Sequence, residues 1–143
     1  MKQAYHLIIL CAWLALMAGC SGKPTSDSTP KLTETVRTAR HNLDVGMEYD
    51  NKRHQMRLAE LYYRKSYETL KENPSQAWDI YAEAGYRYAC LLSQRGDMEG
   101  ALAIVSDMLK KAENNEQFPG ALKAHLLSLM AECQLHLAMP ETA

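Results

Sequence analysis

No stretch of this chain alternates polar and apolar residues for long enough to make a β-strand, and no apolar run is long enough to span a bilayer comfortably. A basic block is also missing: Lys and Arg number 16 against 17 Asp and Glu, and without Lys2 the balance falls to about −2. That argues against a nucleic-acid partner, because phosphate binding needs clustered positive charge. There is no glycine-rich phosphate loop, no CxxC or HxxxH pair, and no serine or cysteine near a candidate base. The nearest approach to a ligand cluster is His125, Cys133 and His136, but on a helix residue 125 lies more than two turns from the others. No catalytic or metal site is expected, and the chain is read as a non-enzyme without a cofactor. Of its 4 cysteines, Cys90 and Cys133 sit in apolar helical stretches. There a thiol behaves as a small hydrophobe, with a disulfide between neighbouring helices as the alternative.

What the chain does have begins at its amino end. Lys2 precedes the apolar run Leu7 to Leu16, LIILCAWLAL, and Met17-Ala18-Gly19-Cys20 follows. The run has the length of a signal-peptide core. The segment LMAGC resembles the lipobox of bacterial lipoproteins, with Met17 where leucine is usual and Leu16 beside it. The resemblance implies removal of residues 1–19 and a covalent lipid on Cys20, whose thiolate is a strong nucleophile, while small Ala18 and Gly19 admit a peptidase. Ser21 to Thr29, SGKPTSDST, contains no large apolar residue, so residues 20–30 form a flexible spacer. Ser21 in place of aspartate implies, by the sorting rule of Gram-negative lipoproteins, anchoring in the outer membrane of a bacterial cell envelope.

From residue 31 onward the pattern is helical throughout, giving an all-α class. Thr29-Pro30 is read as a helix start, followed by the stripe Leu32, Val36, Ala39, Leu43 and Met47. A second helix carries Met56, Ala59, Tyr63, Tyr67 and Leu70 and ends before Asn73-Pro74. Ser75 is placed to cap a third, with Trp78, Tyr81, Ala82, Gly85, Tyr88, Ala89 and Leu92 on one side, broken at Arg95-Gly96-Asp97. The fourth is expected from Met98 to Ala112 and the fifth from about Gln117 to Leu137. Ala59, Ala101 and Ala143 recur at steps of 42 residues, as do Met47, Ala89 and Ala131, and Met56, Met98 and Pro140. A fixed period of this size marks stacked helix pairs.

The segment AGYRYACLLSQRGDMEGALAIVSDML, Ala84 to Leu109, resembles a tetratricopeptide repeat. The matching positions are Tyr88-Ala89, Leu92, the Gly96-Asp97 turn and Ala101, while Gly85 and Val105 replace the family's aromatics. The resemblance implies a right-handed solenoid of antiparallel helix pairs over residues 31–143. It also implies a concave groove lined by the first helix of each pair. Carried onto this sequence, the groove positions are His41, Asp44 and Glu48, then Glu83, Tyr86, Cys90 and Gln94, then His125, Ser128, Glu132 and His136. Such a surface, polar and slightly acidic, suits a basic or polar segment of another protein. Tyr63, Tyr81 and Tyr88 fall on core stripes, whereas Tyr86 faces away from them. Met139 to Ala143 aligns with Asp97 to Ala101, the opening of a second helix, so the chain is expected to be the front of a longer or truncated product. Two functions follow: a membrane-tethered scaffold that binds another protein, or the extracytoplasmic sensor region of a signalling protein of the histidine kinase or regulator type.

Overall fold

The computed structural model describes residues 33–52, 55–113 and 115–139. The signal segment, Cys20, the spacer, the Thr29-Pro30 start and residues 140–143 lie outside them. The described residues form five α-helices and no strand: α1 (Glu34–Asp50), α2 (Met56–Lys71), α3 (Trp78–Gln94), α4 (Met98–Ala112) and α5 (Gly120–Ala138). Each packs on the next along the chain, and α3 also touches α1 and α5.

Helix α1 is capped by Thr33, whose hydroxyl accepts from the Val36 N–H, with Glu34 in the first turn favouring the positive end of the helix dipole. The cap therefore lies four residues after the threonine that the Thr-Pro pair points to. Its buried stripe is Val36, Ala39, Leu43 and Gly46, and Met47 is exposed. Gly46 is turned inward because the Tyr63 ring closes on it: an added Cβ would sit 2.6 Å from Tyr63 Cδ1. Helix α2 buries Ala59, Tyr63, Ser66, Tyr67 and Leu70, and Ser66 Oγ donates to the Ala39 carbonyl at 2.8 Å, fastening α2 to α1.

A single 3₁₀ turn, Pro74–Gln76, separates α2 from α3. Ser75 does not cap α3, as its hydroxyl bonds Asn73 Oδ1 inside this turn, and α3 starts after Ala77 without a side-chain cap. Helix α3 is buried most widely, from Ile80, Tyr81 and Ala82 to Leu91, Leu92 and Ser93, because it has neighbours on several sides. It ends as Arg95-Gly96-Asp97 predicts. Gly96 takes φ +88°, its N–H bonds the Ser93 carbonyl, and the Asp97 N–H bonds the Leu92 carbonyl. This is a Schellman closure, where glycine bears the left-handed residue without strain. Asp97 then caps α4, accepting from the Gly100 N–H at 3.0 Å. Helix α5 begins at Gly120 instead of Gln117, because Asn115 holds the Gln117 N–H and Phe118-Pro119 completes a turn first.

The 42-residue step survives in the spacing of helix starts. Helices α2 and α4 start 42 residues apart at Met56 and Met98, as do α3 and α5 at Trp78 and Gly120. Ala59 and Ala101 are both fully buried. The step fails for Met47, Ala89 and Ala131, of which only Ala89 is buried, since α1 starts 44 residues before α3.

Candidate functional site

The groove positions expected from the sequence all belong to α1, α3 and α5, the three helices that touch one another in series. Arg40 reaches from α1 to Asp79 of α3 at 2.7 Å, and Thr33 Oγ1 donates to Gln76 Oε1 at 3.2 Å. Between α3 and α5 the link is aromatic: the Tyr86 ring stacks on His125, centroids 5.7 Å apart and planes inclined by 28°. Glu132 of α5 also acts on Cys90 of α3, adding to the burial that pushes that thiol's pKa up. Tyr86 and His125 thus meet across two helices, with Cys90 one turn beyond Tyr86 on α3.

The remaining positions are more dispersed. His41, Asp44 and Glu48 are exposed on α1, and Ser128 and His136 are exposed on α5. A hydrogen bond from Lys52 at 2.9 Å holds the Glu48 carboxyl below its usual range. Glu83 pairs with Arg87 one turn on, so its charge is engaged within α3. Gln94 opens onto a recess of about 310 Å³ shared with Met56, Arg57, Glu60, Leu91 and Arg95, and so groups with α2. Cys133 is fully buried while His125 and His136 are exposed, which separates the three residues nearest to a ligand cluster. Cys90 and Cys133 are free thiols, both raised in pKa by burial and hence protonated near neutral pH.

Two features escape a sequence reading. Arg87 joins Glu83 to Asp50 of α1 at 3.5 Å, and its guanidinium lies 5.8 Å from the centre of the Tyr63 ring. Tyr63 OH donates to the same Asp50 carboxylate at 2.8 Å. The other feature is a node in which Tyr67 and Tyr81 both donate to Asp107 Oδ2, at 2.9 and 3.3 Å. Lys111 Nζ closes it, reaching Asp107 at 3.0 Å and the Lys71 carbonyl at 2.8 Å. The only sequence trace of either is an acid and a base four residues apart, Glu83 with Arg87 and Asp107 with Lys111, which exposed helix faces show as often.

No family model, characterised protein or solved structure matches this chain.

The node carries a pH prediction. Burial by itself would raise the Asp107 carboxyl, but hydrogen bonds from Lys111, Tyr67 and Tyr81 outweigh it, and the pKa lies below the ordinary 3.8. A lowered folded pKa contributes stability that is complete above the unfolded value and disappears as pH falls through the folded one. Unfolding midpoints are expected to hold from neutral pH to about pH 5 and to drop below about pH 4. In Asp107→Asn the part of the drop due to this residue is absent, which circular dichroism at several pH values measures.

Proposed function

We propose that this chain is a lipid-anchored, tetratricopeptide-like helical-repeat module that binds another protein at a bacterial cell envelope. In this reading the helices form antiparallel pairs, α1 with α2 and α3 with α4, in a right-handed solenoid. Cys20 carries the lipid, residues 20–30 form the tether, and the groove receives a polar or basic segment of the partner. The observation that supports it most is the stacking of Tyr86 on His125. It joins groove positions of two successive repeats, 39 residues apart in the chain, into one surface with a flat aromatic at its centre. Half-buried tyrosines of this kind are common anchors of protein interfaces, because they offer large area at small entropy cost. The exposed carboxylates of Asp44, Glu48 and Glu132 supply the sign of charge that a basic segment needs.

Envelope crosslinking followed by mass spectrometry identifies the partner, and the variant Glu83→Ala with Tyr86→Ala tests the groove. Loss of the Tyr86 anchor is expected to weaken capture about 10-fold or more. Thermal unfolding should shift little, since neither residue is fully buried. Undiminished capture of every partner by a folded variant rejects the groove.

A further inference from the structure

Helix α5 carries two apolar stripes on opposite sides. Leu122, Leu126, Leu129 and Cys133 are buried against the rest of the fold. Ala124, Leu127, Ala131, Leu135 and Ala138 recur at steps of three and four and are all exposed, Leu127 at 52% and Leu135 at 57%. At 100° per residue the second stripe lies half a helical turn from the first. The repeat shows what this face is for. Forty-two residues earlier stand Ala82, Gly85, Ala89 and Ser93 of α3, all buried. There α4 covers them: Met108 sits against Gly85, and Ser93 Oγ contacts Met98 Sδ at 3.6 Å. The same face of α5 is uncovered among the described residues.

The pattern of the stripe selects its occupant. It is symmetric about Ala131, with leucines four residues to either side and alanines seven to either side. Docked antiparallel about Ala131, two copies set leucine against leucine and alanine against alanine, a like-on-like match that fits an isologous dimer. We infer that a second copy of this chain docks on it, α5 against α5, antiparallel, with the axis at Ala131. In this register Leu127 of one copy lies level with Leu135 of the other, and Ala124 with Ala138. Small residues at every seventh position let the two helices pack at about 10 Å, which sets the axial Cα atoms about 5.4 Å apart. The stripe's flanks carry little charge: Lys123 falls level with Met139, and the two exposed Glu132 carboxylates, one residue to either side of the axis, are a like-charge pair that solvent screens.

Area sets the strength. The stripe from Ala124 to Ala138 is about 22 Å long and, with its flanks, buries about 400 Å² per copy. The total of about 800 Å² is short of the ~1,200–2,000 Å² of a stable soluble interface. The dimer is therefore weak in solution and fills where copies are concentrated on one surface, as the proposed anchor would arrange. Only that last consequence rests on the proposed anchoring.

The test uses the full chain in mild detergent, followed by analytical ultracentrifugation from about 10 μM to about 1 mM. The expected result is a reversible monomer–dimer equilibrium. The double variant Leu127→Glu with Leu135→Glu, whose new charges sit on the outer face, should stay helical by circular dichroism and lose the dimer. Under mild oxidation Ala131→Cys should give a covalent dimer about 10-fold faster than Ser128→Cys, because only an axial residue brings two Cα atoms within ~4.4–6.8 Å. The wild-type chain supplies the background from native thiols. A monomer at every concentration overturns the proposal, including one whose Ala131→Cys form captures a different protein. So does a dimer that survives the two glutamates, or equal crosslinking at Ser128. The Glu83 and Tyr86 variant should dimerise normally, which separates this face from the groove.

Discussion

Tyr67→Ala is expected to remove about 4 kcal/mol of stability, a large fraction of the ~5–15 kcal/mol that holds a domain together. The side chain is 1% exposed, and its ring stacks on Tyr81 with centroids 5.2 Å apart. Burial dominates the upward push on its hydroxyl pKa, and the proton it keeps goes to Asp107. Alanine would leave a cavity bordered by α3 and α4 and take one donor from a half-buried carboxylate. Urea unfolding followed at 222 nm should show a lower midpoint with an unchanged slope. Tyr67→Phe separates the two contributions. It keeps the ring and removes one of three donors to Asp107, so a loss of about 1 kcal/mol is expected. If phenylalanine costs as much as alanine, the hydrogen bond outweighs packing and the assignment above is wrong.

Gly85→Val should cost about 3 kcal/mol, although glycine inside a helix is normally a weak point. A Cβ at residue 85 falls inside Met108 Sδ and 2.9 Å from both Met108 Cε and Tyr67 Cδ2. Met108 is flexible, but it is fully buried and has little room to retreat. The gain in helix propensity, up to about 1 kcal/mol, is smaller than the cost of prising α3 from α4. Gly120→Ala is the control. Nothing lies within 4 Å of an added Cβ there, so that variant should match the wild type or exceed it slightly. A Gly85→Val melting curve that overlays the wild type would show that α3 and α4 do not close on this glycine.

Gly85 also shows where sequence reasoning stops. Its place on a buried stripe with Tyr81, Ala82 and Ala89 follows from helical spacing alone. That it serves as the seat of Met108, in place of the aromatic expected of the repeat family, depends on how closely α4 approaches, and spacing within one helix carries no record of a neighbour. Gly46 and Met47 make the same point in reverse. Spacing admits either as the inward residue, and the Tyr63 ring decides for the glycine. Ser75 was a plausible cap by residue type, but Pro74 and Asn73 drew it into a tight turn. For the site, Tyr86 was legible as the tyrosine off the core stripe, because a helix has only so many faces. Its pairing with His125 was not, since that contact joins residues on different helices.

The all-helical class, the break at Arg95-Gly96-Asp97 and the 42-residue step belong to the sequence itself, because they rest on local backbone preference and on apolar periodicity within single helices. Which side of each helix closes on which neighbour, and how Asp107 came to bind two tyrosines and a lysine, were decided by tertiary structure. Those outcomes depend on the distance between helices, and that distance is set by side chains far apart in the chain meeting in one close-packed interior.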